Sequence, residues 1–289
     1  MKNLELLKNL YMAYSPSGQE GRVQDIIMDF LDKRKIPFKI DPYGQLYAAT
    51  GKPLLSAHMD QVSNKPISQL TTKAGIIAGN GNLGADDKNG IWTVLNILET
   101  YPDTSFLFSV EEERGGKPFP DEIESSPYAL VFDRKGKGDI IGEMNGYCSR
   151  KFEKLVSQHA KQFKYKPNMG TYSDANQLSD MRIPCVNLSV GYYNAHTSME
   201  YTVLSELQNA LNLGLHLVEN LPTIRNPAWE PETLVQWFPR SKRIIQDVFD
   251  SVDVRCDCCG MLEWRENTTE VDGLYFCEFC MEYLTEEAI

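Results

Sequence analysis

Apolar side chains recur along this chain at two periods. Leu4, Leu7, Leu10 and Tyr11 share one face of a helix over residues 3–13, and Val23, Ile26, Ile27, Phe30 and Leu31 share one face over 21–34. Ile91, Trp92, Val94, Leu95, Ile97 and Leu98 mark a helix that ends at Tyr101. Two more helices span 150–164 and 203–220, the second with Leu204, Leu207, Leu211, Leu215 and Val218 on one side. Between the helices lie short, continuous apolar runs at 54–57, 105–110, 128–132 and 185–190. Runs of that length predict strands buried on both faces. Residues 36–40 and 45–49 read as two further strands around an Asp41-Pro-Tyr-Gly44 turn, and 61–80 as loop and short strands. This alternation predicts an α/β three-layer sandwich with a mixed, largely parallel sheet flanked by helices.

Four of the strands run into acids or a histidine. His58 and Asp60 follow the first, Glu111 to Glu113 the second and Asp133 the third; the fourth leads through Gly191-Tyr-Tyr-Asn-Ala to His196. In parallel sheets ligands gather at these carboxyl ends. A Gly- and Asn-rich stretch, 79–90, delivers Asp86 and Asp87 to the mouth of the third helix. Adjacent like charges disfavour each other unless a cation compensates them. A polar turn with an acidic helix cap is the plain alternative. Two histidines with several carboxylates form a mixed N/O set that suits zinc, cobalt or manganese. A two-metal hydrolytic centre needs a bridging carboxylate between ions roughly 3.5–4 Å apart, and an unligated carboxylate to act as base. His159 and His216 each sit alone on a predicted helix and read as structural. Cys148 and Cys185 read as core thiols.

Composition narrows the setting. A length of 289 residues allows one to two domains, and 42% hydrophobic with 24% charged residues describes a soluble globular chain. A net charge of -11 argues against non-specific binding to nucleic acid or an anionic membrane. No apolar run approaches the ~20 residues of a bilayer span. The N-terminus lacks the apolar core and cleavage site of a signal peptide, so a cytoplasmic protein is expected.

The motifs resemble the di-zinc aminopeptidases of the peptidase T, glutamyl aminopeptidase and bacterial leucine aminopeptidase type. The matching segments are Leu55-Ser-Ala-His-Met-Asp60, Leu83-Gly-Ala-Asp-Asp-Lys-Asn-Gly90, Glu112-Glu-Arg-Gly115, Val131-Phe-Asp133 and Ala195-His-Thr-Ser-Met-Glu200, in that order over residues 1–220. The resemblance implies Asp86 as the bridging ligand, with His58 and Asp133 completing one metal site and Glu113 and His196 the other. It implies Glu112 as the general base, Asp60 as the residue orienting His58, and a cis peptide at Asp86–Asp87. The acidic triplet also admits a register one residue earlier, Glu111-Glu112. Many relatives carry an inserted lid or dimerisation domain. Here 25 residues separate Asp60 from Asp86 and 62 separate Asp133 from His196, too few for one. The implied activity is cleavage of short peptides from the amino end; hydrolysis of N-acyl compounds is the alternative the same site serves. A non-catalytic scaffold is the rival of another class, and the intact ligand set counts against it.

The catalytic domain is expected over 1–221, a Pro-rich linker with a short helix over 222–250, and a small module over 251–289. Five of seven cysteines crowd the last 34 residues. Cys256, Cys259, Cys277 and Cys280 have C-x2-C-x17-C-x2-C spacing, which predicts one structural zinc and resembles a zinc ribbon. Cys258 is the odd thiol. The module carries ten acids against Arg255 and Arg265, which points to a protein partner or to capping of the active-site rim rather than to phosphate.

Overall fold

The computed structural model describes residues 3–63, 65–231, 252–255, 262–264, 268–271 and 274–277. The chain divides into two compact units, Met1–Glu232 and Thr233–Ile289.

The first unit opens with α1 (Leu4–Met12) and α2 (Gly21–Arg34). Strands β1 (Lys39–Ile40), β2 (Leu46–Ala48) and β3 (Leu54–His58) follow, then the hairpin β4 (Leu70–Lys73) and β5 (Ile76–Gly79). Next come α3 (Ala85–Leu98), β6 (Ser105–Ser109), β7 (Ala129–Arg134), β8 (Asp139–Ile141), α4 (Arg150–Ala160) and β9 (Lys166–Asn168). The unit ends with α5 (Asp174–Asp180), β10 (Cys185–Ser189), β11 (Tyr192–Tyr193), β12 (Tyr201–Val203) and α6 (Leu204–Asn220).

Eight strands form the main sheet in the order β1-β2-β6-β3-β7-β10-β8-β9. The central four, β6, β3, β7 and β10, run parallel; β2 and β8 flank them antiparallel. Side chains alternate across this sheet as the pleat requires. Leu55, Ala57, Phe106, Phe108, Leu130 and Phe132 pack with Leu7, Trp92 and Leu211 from the α1, α3 and α6 side. Leu54, Leu107, Ala129, Val131 and Cys185 pack with Ala175 and Leu178 of α5 on the other. The fold is thus the mixed, largely parallel α/β sandwich that the apolar periodicity predicts.

Every residue of α3 is buried, which is why its sequence is apolar on more than one face. Gly90 lets it approach β7: a Cβ there would stand 2.2 Å from the Phe132 carbonyl oxygen. A second sheet, β11-β12-β5-β4, is antiparallel throughout and frames the 79–84 turn.

Residues 222–231, the first part of the expected linker, pack on the first unit. Trp229 is 4% exposed and lies 5.1 Å from the Phe152 ring and 6.3 Å from the Tyr128 ring. An indole that large is held by the apolar slot it fills, whatever prolines surround it. His159 and His216 meet across α4 and α6, with Nδ1 of the first 3.2 Å from Nε2 of the second.

In the second unit β13 (Val252–Arg255) pairs antiparallel with β14 (Leu262–Trp264), and β15 (Thr268–Val271) with β16 (Leu274–Cys277). Cys256, Cys259 and Cys280 lie outside the described residues, and Cys277 is described only as backbone.

Candidate metal centre

The parallel strands place their ends together, and the acids and histidines that follow them converge there. His58 closes β3 and is 1% exposed. Its Nε2 faces Asp86 Oδ1 at 3.2 Å, Asp133 Oδ1 at 3.7 Å and Glu112 Oε2 at 4.0 Å. From the other side His196 Nε2 lies 3.2 Å from Asp86 Oδ2 and 2.9 Å from Glu113 Oε1. The two oxygens of Asp86 therefore look at two different histidines. His58, Asp86 and Asp133 offer ligand atoms within 4.8 Å of one another, as do Asp86, Glu113 and His196; His58, Glu112 and Glu113 form an overlapping third group.

The turn carrying Asp86 is held from several directions. Glu200 accepts from the backbone N–H of Gly84 at 2.6 Å, the N–H of Asp86 at 3.1 Å and the Asn82 side-chain amide at 2.9 Å. The Asp86–Asp87 peptide is cis. Asp87 points away from the cluster, accepting from the N–H of Gly90 at 3.0 Å and of His58 at 3.3 Å. Lys88, next in the chain, turns away from the acids. It is buried and donates to Gln61 Oε1, and burial pulls its ammonium down to about 7.

Asp60 ties the first histidine to the acidic triplet. Its Oδ1 lies 3.3 Å from His58 Nδ1. The same carboxylate accepts from the N–H of Glu112 at 2.9 Å, the N–H of Glu113 at 3.2 Å and the Ser17 hydroxyl at 2.7 Å. Glu111, in the left-handed region at φ 54°, turns its side chain to Lys117 at 3.0 Å. Glu112 and Glu113 are the two that face the cluster.

The charges of the cluster pull against one another. Burial pushes Glu112 up to about 10 and Asp133 up to about 8; neighbouring acids add to both and His58 opposes both. Burial would also raise Asp86, but His196 and His58 outweigh it and hold it below the usual carboxylate range. The carboxylates of Asp86 and Glu113, which face its Nε2, lift His196 to about 10 against the effect of burial. Burial would lower His58, yet Asp133, Asp60 and Asp86 raise it well above the ordinary imidazole value. Glu112 and Asp133 are thus held toward their protonated forms, while Asp86 stays ionised between two histidines that are held toward theirs. Glu113 Oε1 is buried without a hydrogen-bond partner among the described residues, although His196 Nε2 lies 2.9 Å away. That oxygen and that nitrogen face each other as two ligand atoms would across a cation. The donor set and the orphaned oxygen fit divalent metal.

All seven residues expected here from sequence, His58, Asp60, Asp86, Glu112, Glu113, Asp133 and His196, lie in or against this cluster. Three contributors went unread. Glu200 lies in the last matched motif, four residues after His196, and that spacing was its only signal. Gln61 follows Asp60 directly. Asp174, the first residue of α5, is buried and accepts from Ser109 Oγ at 2.5 Å and Ser56 Oγ at 3.3 Å. Nothing in its local pattern marked it. A cavity of about 740 Å³ opens beside the cluster, with Tyr192 and Tyr193 in its wall.

No protein-family model and no curated protein matches the chain. Solved structures do. An aminopeptidase, PepT, from Bacillus cereus aligns with a TM-score of 0.63 and 17% identity, over 74% of this chain and 96% of its own. The TET1 peptidase of Pyrococcus horikoshii aligns at 0.60 and 18% identity, over 75% and 99%. A tripeptidase from Staphylococcus aureus aligns at 0.60 and 16% identity, over 75% and 96%. The first unit shares the fold of these proteins. No helix among the described residues is long and apolar enough to cross a membrane.

Proposed function

We propose that this chain is a co-catalytic metallohydrolase with two metal ions, zinc or in its place cobalt or manganese, acting as an aminopeptidase on short peptides. One observation carries the reading: the two oxygens of Asp86 face two different groups, His58 with Asp133 and His196 with Glu113. The fold shared with an aminopeptidase and a tripeptidase supports it.

Two divalent cations held there would supply Lewis acidity to the scissile carbonyl and to the attacking water. Glu112 is the group to take a proton from that water at its carboxylate and pass it to the departing amine. Asp60 fixes the ring of His58 through Nδ1, which aims Nε2 at the cluster. The amides of Glu112 and Glu113 on the same carboxylate hold base and ligand in register with that histidine. Glu200 positions Asp86 by its backbone rather than its side chain. In the second unit Cys256, Cys259, Cys277 and Cys280 would bind one structural zinc, closing the coordination sphere with thiolate.

A panel of aminoacyl-nitroanilides, di- and tripeptides and N-acyl amino acids, assayed with and without zinc or cobalt, tests this. Metal-dependent release from the free amino end is expected. Turnover confined to N-acyl compounds would replace the peptidase by a deacylase. Bound metal with no turnover of any substrate would favour a scaffold.

A further inference from the structure

Beyond the acidic cluster the cavity wall changes sign. After Asp133 the chain runs Arg134-Lys135-Gly136-Lys137-Gly138-Asp139, and Arg134, Lys135 and Lys137 line the same cavity as Asp86, Glu113 and His196. Two of the three cations are engaged. Arg134 Nε lies 3.2 Å from Asp139 Oδ2, and Lys137 Nζ lies 3.4 Å from Glu206 Oε1. The Lys135 ammonium has no hydrogen-bond or ion-pair partner among the described residues.

Its backbone, by contrast, is tied down. The Val190 N–H donates to the Arg134 carbonyl at 2.8 Å, and the Ser189 hydroxyl to the Lys135 carbonyl at 3.0 Å. Gly136 donates to the Tyr192 carbonyl at 2.7 Å and accepts from the Gly191 N–H at 2.9 Å. Gly138 sits at φ 77°, where a Cβ would meet the Lys164 carbonyl oxygen at 2.7 Å. A loop fixed at four points gives the lysine a rigid root, so placing its charge costs only the motion of the side chain. With cations compensating the cluster, the remaining wall holds Arg134, Lys135 and Lys137 against Asp139, with Glu206 engaging Lys137 from outside it. The unspent charge is positive, and it resides on Lys135.

We propose that Lys135 determines specificity by receiving a carboxylate of the substrate, either an acidic side chain or the C-terminal carboxylate of a short peptide. This rests on the peptidase reading for where the scissile amide lies, but the preference for a carboxylate can be measured without turnover. Two matched pairs provide the test: Leu-Gly-Gly against its C-terminal amide, and glutamyl-nitroanilide against glutaminyl-nitroanilide. Binding is measured by calorimetry on zinc-loaded Glu112→Gln protein, and kcat and KM on the unsubstituted enzyme. In at least one pair the carboxylate member is expected to bind about tenfold more tightly, with the difference in KM rather than kcat. The pair that responds identifies which carboxylate is received. The ratio should fall to about one in Lys135→Ala, invert in Lys135→Glu and return in Lys135→Arg. Equal binding within both pairs, or a preference that survives Lys135→Ala, overturns the proposal. A preference without turnover upholds this subsite while refuting the peptidase; turnover without preference does the reverse.

Discussion

Glu200 accepts the backbone N–H of Asp86 at 3.1 Å, and so governs where the carboxylate between the two histidines points. Replacing Glu200 by Ala strands the N–H groups of Gly84 and Asp86 in a buried turn. Each unpaired group costs about 1–3 kcal/mol. Zinc affinity should fall about 10–100-fold, as for other residues that orient ligands without touching metal. Competition with a chelator measures this. Glu200→Gln, which keeps one acceptor oxygen, should fall between the two.

The acidic triplet separates three behaviours. Glu112→Gln should lower kcat by about 10²–10⁴-fold with metal content unchanged. Glu113→Gln should lower metal content as well as rate, because Glu113 Oε1 faces His196 across the second ligand set. Glu111→Gln should do neither, since Glu111 engages Lys117. Metal analysis beside steady-state kinetics distinguishes them, and retained activity in Glu112→Gln removes that residue as the base.

The metal-stripped protein should lose stability as pH rises. His196 and His58 have raised values in the folded state, so their contribution is complete below the unfolded imidazole value near 6.5 and is lost as pH rises, for His196 through about 10. Asp133 and Glu112 are also raised, to about 8 and about 10; the fold favours their protonated forms, and that advantage drains away from the unfolded carboxylate value near 4 upward. Asp86 and Asp60 run the other way, and their contribution is lost as pH falls below about 4. Zinc must displace the histidine protons, so the rise in Tm on adding zinc should be larger at about pH 8.5 than at about pH 6. A rise that shrinks with pH would refute this sign.

Gly90→Ala should destabilise the first unit by about 1–3 kcal/mol, more if the helix cannot shift. The added methyl would stand 2.2 Å from the Phe132 carbonyl oxygen, which is backbone and cannot rotate aside. Denaturant unfolding of the variant measures the loss. An unchanged midpoint would mean that α3 does not need that close approach to β7.

Much of this molecule was legible before its coordinates, and the reason differs by part. The four central strands and α3 announce themselves because burial on every side demands continuous apolar runs such as Ser105-Phe-Leu-Phe-Ser-Val110. The cluster was legible because most of its residues end or follow a strand, and a Gly- and Asn-rich turn brings Asp86 to the same edge. What escaped is short or polar. β8, β9, β11 and β12 have two or three residues each, too few for a period to show, and α5 offers only Ala175 and Leu178 to the core among polar neighbours. Glu200 and Asp174 escaped because their work is to accept from backbone and hydroxyl groups that only the fold brings near. Lys135 escaped because its neighbours in sequence carry the same charge; what sets it apart is that Asp139 and Glu206 engage the other two.

The most direct test is an anomalous-scattering map of zinc-soaked crystals, collected on the unsubstituted protein and on Asp86→Ala. Two peaks bracketing the Asp86 carboxylate are expected, roughly 3.5–4 Å apart, one between His58 and Asp133 and the other between Glu113 and His196. At least one of the pair should vanish in Asp86→Ala, while a separate peak at the C-terminal cysteines persists. A single peak at the cluster, or a pair that is unchanged without Asp86, would contradict the bridging role on which the proposed function rests.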